Sequence, residues 1–275
     1  MTTTTQNTTP IHIGIMGASG RMGRMLIQAV LETPDTVLAG AFVPAEFGAI
    51  GMDAGEFIGV GNVGVPLSVL TDDTPKLDVL IDFSLPDALP QTLAYCTKHR
   101  TALVIGVTGL SEDELEALNT ASTQIALVYA GNYSTGVNLS LNLLATTAQV
   151  LGLDADVEII EAHHKHKLDA PSGTALMMAQ SVAQARNQVL GDVLVHGRSG
   201  SAKRRTGDIG MHAIRGGEIV GEHTVQFIMG GELIEITHKA QSRMTFATGA
   251  VRAALWAYNK PIGRYDMQDV LGLKD

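Results

Sequence analysis

The chain has one cysteine, Cys96, in 275 residues. A lone thiol excludes an intramolecular disulfide framework and suits a reducing compartment, so a cytoplasmic location is expected. Long apolar runs are missing as well. No stretch approaches the roughly 18 to 20 consecutive apolar residues that a membrane-spanning helix needs. Hydrophobic residues still make up 45% of the chain, enough for a substantial core in one large or two ordinary domains. Residues 1–10 are threonine-rich and have neither the basic start nor the apolar centre of a secretory signal, so they are expected to form a disordered tail. Basic residues are in deficit: the formal net charge of −9 argues against nucleic acid as the main partner. No internal repeat and no long disordered linker is present.

The acidity is uneven. Residues 1–130 hold 5 Lys/Arg against 14 Asp/Glu, whereas residues 161–215 hold 8 against 4, with five of the nine histidines. This local basic excess suits a small multi-anionic ligand better than a long polyanion. It surrounds the stretch Glu161-Ala-His-His-Lys-His-Lys-Leu-Asp-Ala-Pro-Ser-Gly-Thr174. Val157, Ile159 and Ile160 among Asp156, Glu158 and Glu161 predict a strand leading into it. Pro171 fits the first turn of a following helix, with Asp169 as its cap. In that reading the amides of Ser172, Gly173 and Thr174 sit at a positive helix end, a ready anion site that Gly173 lets a ligand approach closely. His163 and Lys167, four apart, share a face in either an extended or a helical segment. An imidazole, an ammonium and an anion cradle thus converge. Two plainer readings compete. A His/Lys cluster is more often a solvated turn than a catalytic site. Zinc would need a ligand set that one thiol and no HExxH string leave incomplete, so no metal is expected.

Elsewhere the pattern alternates strand and helix. The apolar run Ile11–Met16 is followed by Gly17-Ala-Ser-Gly20-Arg-Met-Gly23 and the helical spacing Met25, Leu26, Ala29, Val30. Strand, glycine-rich turn and helix is the order of a dinucleotide site. Gly17 makes the tight turn, Gly20 admits the pyrophosphate, and Gly23 lets the helix pack on the strand. Residues 36–43 read as the second strand, ending in Val43-Pro44 where an acid would bind the adenine ribose of NAD; Glu46 follows. Residues 47–66 read as a long glycine-rich loop. Further strands are expected at 77–83, 102–105 and 125–129, with helices from Pro86-Asp87 to about Lys98 and, behind a Ser111/Glu114 capping box, to about Ser122. The turns after two of these strands, beginning at Gly106 and Ala130, lie where an open α/β sheet binds its ligand. Residues 134–151 and 175–189 read as helices, 198–210 as a basic loop, and 209–214, 223–229 and 233–237 as strands of a mixed sheet. A final helix, Met244–Tyr258, offers Phe246, Val251, Ala254 and Leu255 to the first domain.

The chain resembles the 4-hydroxy-tetrahydrodipicolinate reductase (dihydrodipicolinate reductase) family of lysine and diaminopimelate biosynthesis. The likeness runs from Ile11 to the C-terminus. It rests on the glycine turn 17–23, Ile105-Gly-Val-Thr-Gly109, the stretch 161–174, Val220-Gly-Glu-His-Thr224 and Glu235-Ile-Thr-His-Lys-Ala240. The string EAHHxHKxDAPSGTA is its most specific part. The resemblance implies an α/β fold: a Rossmann-type dinucleotide-binding domain, residues 1–133 and 241–275, with an inserted α+β substrate-binding and tetramerisation domain, residues 134–240, built on a mixed sheet. It implies that His163 is the proton donor/acceptor and Lys167 the proton donor. His164 would contact substrate, and Gly173 and Thr174 would hold a substrate carboxylate. Gly17, Ala18, Ser19, Gly20, Arg21 and Met22 would hold the cofactor pyrophosphate. Gly106, Val107 and Thr108, with Ala130, Gly131, Asn132 and Tyr133, would line the nicotinamide side. The implied substrate is a small cyclic dicarboxylate and the implied assembly a homotetramer. Val43-Pro44 departs from the acid and basic residue that family members often carry there, so use of both NADH and NADPH is expected. Two alternatives remain: a reductase or dehydrogenase of another imino or keto acid, and a dinucleotide-sensing regulator.

Overall fold

The computed structural model describes residues 9–274. Of the expected tail over 1–10, only Thr9 and Pro10 fall within the described residues, and both are exposed. The chain runs β1 (Ile11–Met16), α1 (Arg21–Glu32), β2 (Thr36–Phe42), α2 (Ala54–Ile58), β3 (Leu67–Ser68), β4 (Val79–Asp82), α3 (Leu89–His99), β5 (Ala102–Ile105), α4 (Glu112–Ser122) and β6 (Ala126–Tyr129). There follow α5 (Thr135–Leu151), β7 (Asp156–His163), α6 (Gly173–Ala185), α7 (Leu190–Val193), β8 (Leu194–His196), β9 (Ile209–Arg215), β10 (Gly221–Ile228) and β11 (Leu233–Ala240). The chain closes with α8 (Met244–Tyr258), β12 (Gly263–Tyr265) and α9 (Met267–Leu271). Two compact units result: one from the chain up to Tyr133 and from Met244 onward, the other Ser134–Arg243.

In the first unit, short aliphatic runs become buried parallel strands, as expected where helices cover both faces of a sheet. The strand order is β12-β6-β5-β4-β1-β2-β3, all pairs parallel. Strand order reverses between β1 and β4, the switch point at which such sheets bind nucleotides. One apolar layer packs Leu26 and Val30 of α1 with Ala250, Val251 and Ala254 of α8; the other packs Leu93 and Cys96 of α3 with Leu118 of α4. Of the four side chains expected to return from the C-terminal helix, Val251 and Ala254 are buried, Leu255 packs at the edge of that layer, and Phe246 is half-buried. Gly23 sets the spacing of α1: a Cβ there would stand 2.1 Å from the Gly17 carbonyl oxygen and 2.7 Å from Ala18. The Ser111/Glu114 capping box is in place at the start of α4. The 47–66 stretch is more ordered than its glycines suggest. Asp53 caps α2 through the amides of Gly55 and Glu56 and also accepts those of Val63 and Val65. One carboxylate ties the loop to itself, and α2 is too short to show a helical period.

The second unit is a mixed sheet in the order β11-β10-β7-β9-β8, with β10 antiparallel to β7 and β11, and β9 parallel to β7 and β8. Val157, Ile159, Val225 and Phe227 of the sheet meet Leu144 and Ala148 of α5 and Met178 and Val182 of α6 in its core. The helix expected over 175–189 instead begins at Gly173 and ends at Ala185. Asn187 takes a left-handed conformation, which asparagine tolerates, and the Gln188 amide turns back to the Ala183 carbonyl at 2.8 Å.

Candidate active site

The site in the second unit grows from the alternation of β7. Val157, Ile159, Glu161 and His163 are buried while the residues between them are not. A fully buried carboxylate such as Glu161 must be paired to stay charged. Its partner is Arg215, which lies beside His163 in the β7–β9 register. Two arginine nitrogens reach the two carboxylate oxygens at 2.7 Å each, the bidentate geometry of the strongest charged hydrogen bonds. The Ser172 amide donates to Glu161 Oε1 at 3.1 Å, and His163 Nδ1 lies 2.6 Å from Oε2. Burial alone would raise the Glu161 pKa, but the hydrogen bonds from Arg215, His163 and Ser172 outweigh it and hold the group below the usual carboxylate range. An ionised carboxylate only accepts, so His163 Nδ1 carries the proton facing it, and Nε2 is the nitrogen available for chemistry. Burial sets the His163 pKa below the ordinary histidine value; Glu161 pulls it upward, while Lys167 and Arg215 push it down.

The cap of α6 is not the one expected. Ser172, not Asp169, is the N-cap, its hydroxyl accepting from the Ala175 amide at 3.2 Å, and Pro171 precedes the helix instead of opening it. A serine can supply the capping oxygen from the N-cap position itself, which displaces the helix start past the proline. The Ser172 amide is therefore engaged by Glu161 and does not belong to an open cradle. Gly173 and Thr174 do occupy the first turn, which contains no acidic residue, and no atom lies within 4 Å of where a Gly173 Cβ would stand. Asp169 pairs with Lys167, Nζ to Oδ1 at 2.8 Å, and its carbonyl accepts from Arg215 at 2.6 Å. Lys167 lies in a turn closed by its own amide on the His164 carbonyl, so neither regular segment relates it to His163. His164 is half-buried, its Nδ1 buried without a hydrogen-bond partner.

Three members of this cluster escaped sequence reasoning as functional groups: Glu161, Arg215 and His223. His223 lies edge-on to His163 with ring centroids 5.1 Å apart, and its Nε2 is 3.0 Å from the Ser172 hydroxyl. Burial, reinforced by the neighbouring His163, lowers its pKa to about 4. A glutamate at an inward position two residues before His163 was the available signal; His223 lay in the family-like stretch Val220–Thr224 without a role assigned to it, and nothing local pointed to Arg215. Among the described residues no group of three or more His, Cys, Asp or Glu is placed to hold a metal ion.

In the first unit the glycine turn leaves β1. Gly17 has φ +79, and its amide and that of Ala18 both donate to the Phe42 carbonyl. Ala18 is itself buried. The N-terminus of α1 has no side-chain cap and no acidic residue in its first turn, which leaves the positive helix end to an anion. A cleft of about 760 Å³ opens there, lined by Gly17, Ser19 and Gly20 from the turn and by Val43, Pro44 and Glu46 beyond β2, among others. Gly106 follows β5 with its amide on the Asp82 carbonyl, and a Cβ there would strike the Phe83 ring at 2.5 Å. Val107 is buried and Thr108 exposed. Ala130 and Gly131 lie at the end of β6, partly open to solvent and exposed respectively, with Asn132 half-buried beside them. The Tyr133 side chain turns into the core, its hydroxyl within reach of the Ile105 and Val128 carbonyls at 2.8 and 3.0 Å. That leaves its side chain no spare polar atom for a ligand. The uncapped helix end, the glycine cradle and the cleft fit a dinucleotide.

A Rossmann-type unit with an open phosphate-binding turn, joined to a unit carrying a histidine and a lysine beside a helix N-terminus, defines the class of pyridine-nucleotide-dependent oxidoreductases. The family description "Dihydrodipicolinate reductase, N-terminus" matches residues 11–133, and "Dihydrodipicolinate reductase, C-terminus" matches residues 136–271. Proteins named 4-hydroxy-tetrahydrodipicolinate reductase are similar over almost the whole chain. That of Psychrobacter arcticus is 56% identical, covering 98% of each chain, and that of Pseudomonas fluorescens 52% identical, covering 96% of this chain and 99% of the relative. The relative from Acinetobacter baumannii is 51% identical, covering 96% and 97%. The chain belongs to the dihydrodipicolinate reductase family. Its fold is also similar to that of a dipicolinate-bound dihydrodipicolinate reductase from Paenisporosarcina, with TM-score 0.76 at 23% identity over 94% of this chain and 98% of that one.

Proposed function

We propose that this protein reduces 4-hydroxy-tetrahydrodipicolinate to tetrahydrodipicolinate, with NADH or NADPH, in lysine and diaminopimelate biosynthesis. The observation that carries the reading is the Glu161 carboxylate, which joins a buried histidine to the residue that opens an anion-receiving helix. Family membership adds to it, and the structural relative's bound dipicolinate is a cyclic dicarboxylate of the expected chemistry.

The first unit holds the nucleotide, its pyrophosphate at the Gly17–Met22 turn. When bound, the reduced nicotinamide supplies a hydride. The second unit holds the substrate. Gly173 and Thr174 take one carboxylate through the helix end and the threonine hydroxyl, and His164 adds a further contact. The 4-hydroxyl group leaves as water to give the conjugated dihydrodipicolinate ring, and as charge develops on that ring the Lys167 ammonium stabilises it. Lys167 and His163, acting through Nε2, deliver the proton, a role that typically contributes ~10²–10⁴-fold to the rate. Use of both cofactors is supported by Val43-Pro44, which supplies neither a carboxylate for the ribose nor a cation for a 2′-phosphate. The family resemblance supports a homotetramer, and the lone cysteine supports a cytoplasmic location.

The test is loss of NADH or NADPH absorbance on addition of freshly generated cyclic substrate. Nucleotide loss that needs the dicarboxylate supports the assignment. No loss with either nucleotide, in protein that still binds both, overturns it.

A further inference from the structure

His163 meets the substrate through Nε2, and its other ring nitrogen faces Glu161. Glu161 is wholly buried, has no route to substrate of its own, and still concentrates four donors on two oxygens. Oε1 accepts from the Ser172 amide at 3.1 Å and from one Arg215 nitrogen at 2.7 Å. Oε2 accepts from the other Arg215 nitrogen at 2.7 Å and faces His163 Nδ1 at 2.6 Å. Three of the donors have no alternative role, because a backbone amide and a guanidinium cannot accept. Only His163 can exchange donor for acceptor by changing tautomer.

We infer that Glu161, clamped by Arg215, is a positioning residue that fixes His163 with its proton on Nδ1 and ties that ring to the carboxylate cradle begun by Ser172. The inference deepens the proposed reaction and rests on it for the role of His163. Its structural half, the tautomer, stands apart from any activity. The charged and titratable groups around His163 are Glu161 on its own strand, Arg215 on β9, His223 on β10, and Lys167 with its partner Asp169 in the following turn. His238 on β11 acts on His223. Of these, Glu161 is the one that meets a ring nitrogen of His163 as an acceptor.

Glu161→Gln makes a sharp test. Its amide NH₂ must replace one oxygen. At the Oε1 position it would confront two fixed donors, the Ser172 amide and Arg215. At the Oε2 position it confronts one fixed donor and His163, which can turn acceptor. The second arrangement wins, and it moves the His163 proton to Nε2.

The experiment is ¹⁵N NMR of the histidine rings in the full chain above the His163 pKa, together with pH profiles of kcat. Wild type should show the Nδ1–H tautomer at His163 and Glu161→Gln the Nε2–H tautomer. In the variant kcat should fall on the order of 10²-fold, the lower end of a general acid–base contribution, with KM changed much less. Loss of the carboxylate also removes the upward pull on His163, so the limb of the kcat profile that reports its protonated form should move to lower pH. An Nε2–H tautomer in wild type overturns the inference without any variant. So does a Glu161→Gln protein that melts lower but keeps the wild-type tautomer and pH profile. If Glu161→Gln does not fold, the wild-type tautomer decides alone. A tautomer as expected in protein without reductase activity would fault the proposed reaction and leave the positioning role intact.

Discussion

The Ser172 hydroxyl oxygen lies 3.0 Å from His223 Nε2, and both residues are buried. Since that oxygen already accepts the Ala175 amide, its own proton is free to go to an unprotonated His223. The cap of α6 thus depends on a neutral histidine one strand away. Protonation would replace an acceptor with a cation at the positive end of α6.

This coupling has a pH signature. His223 titrates near its ordinary value of about 6.5 when unfolded and at about 4 when folded. Between those values the unfolded chain binds more protons, so stability is fully present above about pH 6.5 and falls as the pH is lowered toward 4. At about 1.4 kcal/mol per pH unit, the loss from this group between pH 7 and pH 5 is about 2 kcal/mol. His163 and His238, also lowered by burial, act in the same direction. Urea unfolding at the two pH values measures the loss, and His223→Gln should make the dependence shallower. An equal slope in that variant would place the effect elsewhere.

Lys167→Ala should lose turnover and keep nucleotide affinity, because Lys167 lies in the second unit, where it pairs with Asp169, and the glycine turn lies in the first. A drop of ~10²-fold or more in kcat is expected for a proton donor. Steady-state rates and nucleotide titrations on one preparation check it, and retention of more than about a tenth of the rate contradicts the role.

Pyridine-2,6-dicarboxylate should compete with substrate, and Thr174→Val should weaken it. Thr174 lies in the first turn of α6, and a lost hydrogen bond to a charged group costs roughly 1.5–3 kcal/mol. The inhibition constant of the variant is the readout; an unchanged value puts the carboxylate elsewhere.

Wild type should use NADH and NADPH with kcat/KM values within roughly fiftyfold, a difference of about 2 kcal/mol. Val43, where the family's acid would stand, is buried, so a carboxylate installed there would carry a desolvation cost. Glu46 is instead the exposed acid on the cleft beyond β2. Its charge would repel a 2′-phosphate by about 1 kcal/mol at ~4 Å in water and by more at lower effective dielectric. Glu46→Gln should therefore shift the ratio toward NADPH by several-fold, measured at one fixed salt concentration. No shift would mean that the adenosine end is read by other residues, Arg21 first among them.

The sequence by itself determined the parts that depend on local pattern. The order of strand, glycine turn and helix over 11–32, the Ser111 capping box and the α8 boundaries all follow from near neighbours in the chain, and near neighbours are what periodicity and capping rules describe. The stretch that carries His163, Lys167, Gly173 and Thr174 stood out as a candidate for the same reason: it is one continuous run of sequence. Tertiary structure decided what depends on burial and on residues far apart in sequence. Glu161 and Arg215 are 54 positions apart and meet because β7 and β9 run parallel in one register. Ser172 and His223 are 51 apart and meet because β10 pairs with β7, which sets His223 opposite Glu161. Arg215 turns a polar strand residue into a buried anion, and the strand beside it makes His223 a neutral base. No local rule contains these choices, because each is a competition for hydrogen bonds that exists only after the strands have paired.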